Sequence, residues 1–175
     1  MKNASGESVE IDLNGFTYTG GSTSDYGVIT VGEGSETIIK NGDIESLGGG
    51  IAAAGGAEVV YNAGKLNVKT TSTSGRYNFY AEGEGSVITI NSGEFSFDPT
   101  LNQKRAYIYA GTGTTVYVNG GTFGEASTRS GYTAGIMGTG DIIITAGTFG
   151  FDPSNWVADG SQVVKVGDQW IVSPM

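Results

Sequence analysis

Apolar and polar positions alternate in short bursts along this chain, and each burst ends at glycine. One phrase occurs six times: Val9-Glu10-Ile11-Asp12-Leu13-Asn14-Gly15, Glu36-Thr37-Ile38-Ile39-Lys40-Asn41-Gly42, Glu58-Val59-Val60-Tyr61-Asn62-Ala63-Gly64, Val87-Ile88-Thr89-Ile90-Asn91-Ser92-Gly93, Thr115-Val116-Tyr117-Val118-Asn119-Gly120-Gly121 and Asp141-Ile142-Ile143-Ile144-Thr145-Ala146-Gly147. The closing glycines are 27, 22, 29, 28 and 26 residues apart. A drifting period of this size, with β-branched residues ahead of each glycine, predicts stacked β-coils.

Two further strands complete each period. The first is seen in Val28-Ile29-Thr30-Val31, Ile51-Ala52-Ala53, Tyr77-Asn78-Phe79-Tyr80, Ala106-Tyr107-Ile108-Tyr109 and Gly135-Ile136-Met137. A glycine-rich corner follows each one. The third is a short strand carrying Ile44, Leu66, Phe95, Phe123 or Phe149 two places after the closing glycine. Three strands and three bends per turn predict an all-β chain, a single-stranded right-handed parallel β-helix of about six coils. With coils about 4.8 Å apart, the rod is on the order of 30 Å long.

Ile39, Tyr61, Ile90, Val118 and Ile144 are expected at one inward level, and Phe95, Phe123 and Phe149 at another. Ile11 and Leu13 in the first coil fall one place out of step. We expect residues 1–8 as a lead-in, residues 9–160 as coils, and residues 161–175 as a hairpin that caps the last rung with Trp156 and Trp170.

Composition changes this picture little. Of the 175 residues 31 are glycine, three are proline and 38 % are hydrophobic, enough for one narrow core. There is no cysteine and no histidine, which removes disulfides, thiolate metal sites and the commonest general base. No metal site or cofactor is read, and the stacked calcium-binding glycine–aspartate repeat is absent. The net charge of −9 argues against nucleic acid. No apolar run is long enough to insert in a membrane, and residues 1–6 show no signal-peptide core. Either the chain is an excised piece, or it reaches its place without a secretion signal.

The opening Val9 to Gly20 and the closing Gly147-Thr148-Phe149-Gly150-Phe151-Asp152-Pro153-Ser154-Asn155-Trp156 resemble the entry and exit segments of pectate-lyase-like right-handed β-helix repeats in bacterial surface proteins and phage tail fibres. That resemblance implies an extracellular, cell-surface or virion location and an adhesive or structural role, often as a homotrimer. The same fold includes polysaccharide lyases and glycosidases, so fold alone selects no activity.

For an enzyme, the candidate acids are Asp98 and Asp152 in the repeated Phe-Asp-Pro, with Glu125 on the rung between them. Glycosidases need two carboxylates roughly 5 to 9 Å apart. Asp before Pro also suits a chain leaving a strand, and no reaction is assigned. For a binding module, alternation around Phe79, Ile108 and Ile136 sends Tyr80, Tyr109 and Met137 outward, with Tyr107 beside them. Arg76 and Arg129 are adjoining sources of polar contacts. Such a face suits either another copy of the chain or a cell-surface glycan.

Overall fold

The structure is a computed structural model that describes residues 6–100 and 104–175. The first five residues of the expected lead-in, and Leu101, Asn102 and Gln103 in the loop before Lys104, lie outside the described residues.

The chain winds through six rungs. The first holds β1 (Ser8–Asp12) and β2 (Thr17–Gly20), and the second β3 (Ile29–Val31), β4 (Glu36–Lys40) and β5 (Asp43–Ser46). The third holds β6 (Ile51–Ala54), β7 (Glu58–Asn62) and β8 (Lys65–Val68). The fourth holds β9 (Arg76–Glu82), β10 (Val87–Ile90) and β11 (Glu94–Phe97), and the fifth β12 (Arg105–Ala110), β13 (Thr115–Val118) and β14 (Thr122–Glu125). The sixth holds β15 (Ile136–Gly138), β16 (Asp141–Ile144) and β17 (Gly147–Gly150). A short 3-10 turn, Ser154–Trp156, leads to β18 (Ser161–Val166) and β19 (Gln169–Pro174).

Like strands stack into three sheets. Sheet A takes β3, β6, β9, β12 and β15; sheet B takes β1, β4, β7, β10, β13 and β16; sheet C runs from β2 through β17 and then adds the final hairpin. Pairing between rungs is parallel throughout. The fold is therefore an all-β solenoid with five complete three-strand turns, and the first rung adds strands to sheets B and C alone.

The inward levels are as the alternation predicts. Ile39, Tyr61, Ile90, Val118 and Ile144 stand in register and are buried. Phe95, Phe123 and Phe149 form a ring ladder with centroids 4.7 and 4.8 Å apart. The first coil needs a correction: Ile11 pairs with Ile39 and is in step. The irregularity lies after the strand, where the turn to β2 takes four residues, 13–16, with Asn14 at φ +50°, against two, Asn41 and Gly42, in the second rung. Aligning the closing glycines therefore displaced the whole coil by one.

The closing glycines Gly93, Gly121 and Gly147 take φ values of +128°, +102° and +143°. A side chain there would strain the backbone where each rung turns from sheet B to sheet C. Beside this corner an exposed polar ladder ties the rungs. Asn91 Nδ2 donates to Asn62 Oδ1 at 2.8 Å, Asn119 Nδ2 to Asn91 Oδ1 at 3.0 Å, and the Thr145 hydroxyl to Asn119 Oδ1 at 2.9 Å. Stacked amides of this kind satisfy one another because identical positions recur at the rung spacing.

At the C-terminal end, β18 and β19 pair antiparallel around Gly167 and Asp168, and β19 pairs antiparallel with β17. Trp156 and Trp170 pack against the core, and Lys165 Nζ sits 5.2 Å from the Trp170 ring centre.

Candidate functional site: a tyrosine face on sheet A

Strict alternation fails where β9 enters sheet A. Asn78 and Phe79 are consecutive, yet both are buried. Asn78 turns into the corner, and its Nδ2 donates to the Leu66 carbonyl at 2.8 Å and the Ser96 carbonyl at 3.3 Å. The same break recurs one rung on, at Tyr107 and Ile108. Tyr107 was expected on the outer face, but it is 3 % exposed. Its ring packs against Phe97, Phe123 and Phe151, and its hydroxyl donates to the Glu125 carbonyl at 2.9 Å. Burial pushes that hydroxyl up to about 12.

The break also redirects the residues before it. Tyr77 joins Tyr80 and Tyr109 on the outside of sheet A, and Tyr26 folds over from the loop before β3. Tyr109 lies in register with Tyr80 on one side and Met137 on the other. The Tyr80 and Tyr109 rings stack at 5.1 Å with planes 18° apart, and Tyr26 stacks on Tyr80 at 4.7 Å. Tyr77 lies 5.6 Å from Tyr80 and 5.1 Å from Tyr109. Tyr80, Tyr109 and Met137 are brought together as alternation predicts; Tyr107 is excluded, and Tyr26 and Tyr77 are additions. Tyr26 gave no signal in sequence, because it belongs to no strand.

Arg76 holds the Tyr26 loop in place. Its guanidinium lies 4.5 Å from the Tyr26 ring centre, Nη1 donates to the Gly75 carbonyl at 2.8 Å, and Nη2 donates to the Thr23 carbonyl at 2.5 Å. Arg76 is 3 % exposed, so it is a strut of the face rather than a contact on it. The Tyr80 hydroxyl donates to Glu82 Oε2 at 3.2 Å. Burial, then the Glu82 carboxylate, pushes the Tyr80 hydroxyl well above its usual range; burial, then the Tyr132 hydroxyl, does the same to Tyr77. Both are therefore neutral donors at physiological pH.

The stacking decides what this face can contact. Ring faces are covered by neighbouring rings, so ring edges, hydroxyls, the half-exposed Tyr26 and the Met137 side chain are what it presents. An edge-and-hydroxyl surface suits packing against another protein better than sugar rings lying flat on aromatic planes.

The candidate acids occupy turns. Asp98 Oδ1 accepts from the Thr100 backbone N at 2.9 Å and from its hydroxyl at 2.7 Å. Asp152 Oδ1 accepts in the same way from the backbone N and hydroxyl of Ser154. Glu125 sits where β14 slips register against β17, and its carbonyl holds Tyr107. Each aspartate closes its own turn.

The Thr100 hydroxyl, then the Thr100 backbone N, holds the Asp98 carboxyl below 3.8. A lowered folded value means that its stabilising effect is present above 3.8 and is lost as pH falls through the folded value. Asp98→Ala is expected to speed amide exchange at Thr100 at neutral pH, with little change at pH values below both. Equal acceleration at both pH values would show that the carboxylate does not hold this turn.

A shallow groove of about 420 Å³ runs along the outside of sheet C, with Asp43, Lys65, Asn67, Glu94, Ser96 and Thr122 among its lining residues. Its charges are already engaged: Lys65 Nζ lies 4.0 Å from Glu94, and Asp43 accepts from the Lys65 backbone N at 2.8 Å. Among the described residues no group of three or more Asp, Glu, His or Cys is placed to hold a metal ion.

Family models, curated proteins and solved structures were compared with the chain, and no match emerged from any of the three.

Proposed function

We propose that this chain is a non-enzymatic structural module, a right-handed β-helical rod of a phage fibre or bacterial surface protein, whose tyrosine face docks a partner subunit. The stack of Tyr26, Tyr80 and Tyr109, extended by Met137, carries this reading. A row of contacting aromatics on the outside of a sheet covers little water-excluded area by itself. It becomes favourable when another surface closes over it. The solenoid suits the role, because rungs locked to their neighbours hold Tyr80, Tyr109 and Met137 rigidly, and Arg76 pins the one loop residue, Tyr26, against them. A glycan receptor at the same face is the second reading, supported by the hydroxyl edge.

Solution mass by light scattering tests it on wild type and Tyr109→Asp. A wild-type dimer or trimer that becomes monomeric in the variant is the expected result, since a carboxylate in a closed aromatic contact is buried unpaired. A wild-type monomer would overturn the subunit reading, and binding to a glycan array, abolished by Tyr109→Asp, would then establish the second. An oligomer indifferent to the substitution would place the interface elsewhere.

A further inference from the structure

We propose that Tyr80 and Tyr109 form an oxidative cross-linking site, at which the fourth and fifth rungs become joined covalently as dityrosine while Glu82 takes the Tyr80 proton. Geometry selects this pair. The two residues stand directly opposite on hydrogen-bonded strands, so both backbones hold them, and their rings lie 5.1 Å apart with planes 18° from parallel. Neighbouring strands are about 4.8 Å apart, which brings ortho carbons of such rings within reach of one another by small side-chain rotations. Tyr26 is closer to Tyr80, at 4.7 Å, but rides on a loop rather than on a paired strand.

Chemistry selects Tyr80 as the point where oxidation starts. A phenol loses its electron readily only if its proton leaves with it, which requires an acceptor within hydrogen-bond reach. Glu82 Oε2, 3.2 Å from the Tyr80 hydroxyl, is that acceptor. Tyr77 faces the neutral hydroxyl of Tyr132 instead. The oxidant is hydrogen peroxide acting through a peroxidase. Each tyrosine gives up one electron and one proton, and the two phenoxyl radicals couple between ortho carbons. Tautomerisation moves each ortho ring hydrogen to its phenol oxygen and so restores both phenols, and the two protons and two electrons given up first reduce the peroxide to two waters. The chain has no cysteine, so this bond would supply a rung-to-rung staple that a disulfide cannot.

Peroxidase and peroxide applied to the purified chain test the idea, with intact mass, dityrosine fluorescence and peptide mapping as readouts. The expected product is a monomer lighter by two hydrogens, with the link mapping to Tyr80 and Tyr109. Tyr80→Phe and Tyr109→Phe each abolish it while keeping the ring stack, which circular dichroism checks. Glu82→Gln slows it severalfold, and Tyr117→Phe on sheet B leaves it unchanged. A link mapping to another pair, one formed only between molecules, or a yield that survives Tyr109→Phe would overturn the site. An unchanged rate in Glu82→Gln would overturn the role of Glu82. A link within one molecule leaves docking of the face open, whereas a link formed only between molecules overturns this site and supports docking, so the two readings fail separately.

Discussion

Phe123→Ala is expected to lower unfolding free energy by about 3–5 kcal/mol, the cost of emptying a fully packed aromatic site. Phe123 is buried between Phe95 and Phe149, its plane 4° from that of Phe149, and the Tyr107 ring meets it edge-on at 5.8 Å. The neighbouring rings are fixed to their own strands by the rung spacing, so they cannot collapse into the space, and the cavity persists. Against a total stability of roughly 5–15 kcal/mol for a domain, this one truncation removes a large share.

Linear order adds a second consequence. Strands pair only with those of the adjacent rungs, so a void in the fifth rung weakens the coupling of the sixth rung and hairpin to the rest. Urea unfolding of Phe123→Ala should therefore show a lower midpoint, and amide exchange should rise first in β15 to β19. Phe16→Ala, at a 71 % exposed position, serves as control and should change stability by less than about 0.5 kcal/mol. A shift in Phe123→Ala as small as the control's would mean that the ladder does not hold the rod together.

The parts of this fold legible in sequence are those where one rule applies along a whole strand. Sheet B repeats a β-branched phrase closed by glycine, and its inward level could be read residue by residue, from Ile39 to Ile144. The Phe95, Phe123 and Phe149 ladder was legible for the same reason. Turn chemistry was less so. The first coil's turn holds residues 13–16 where the second rung turns through Asn41 and Gly42 alone, and both turns use a left-handed asparagine, so the asparagine–glycine pair did not reveal the longer path.

Sheet A shows where period-two reasoning stops. Asn78 and Tyr107 each sit at the corner into sheet A, where the chain is bending and two successive side chains can both face the interior. Tyr80 and Tyr109 were placed correctly because they lie beyond the bend, whereas Tyr107 lies within it. Tyr107 is a large aromatic with a hydroxyl, and nothing in its neighbours tells a ring that caps a corner from one on the surface. The Glu125 carbonyl that satisfies it is 18 residues away. The tyrosine face itself needed the folded chain, since Tyr26 and Tyr109 meet at Tyr80 from three different rungs.

That dependence on a loop makes Gly49→Ala the second large effect, and one that separates the rod from its face. A Cβ on Gly49 would lie 1.8 Å from the Tyr26 carbonyl oxygen and 2.4 Å from its carbon, both backbone atoms. No rotamer change relieves that overlap, so the loop carrying Tyr26 must move away from β6. Gly49 N donates to the Asp25 carbonyl at 2.8 Å, and this bond is lost as the loop lifts. The expected destabilisation is about 1–3 kcal/mol, the usual cost of overpacking. More telling is where the damage falls. The Tyr26–Tyr80 stack and the Arg76 contact with Thr23 both depend on the loop, whereas sheets B and C do not touch it through Gly49. Near-ultraviolet circular dichroism from the stacked tyrosines should fall sharply, and the far-ultraviolet β signal should hold. If the face is the docking surface, the oligomer should weaken at temperatures well below unfolding. Retained tyrosine dichroism would show that the loop accommodates the methyl group without leaving Tyr80, and global unfolding in step with loss of the stack would show that rod and face are one cooperative unit.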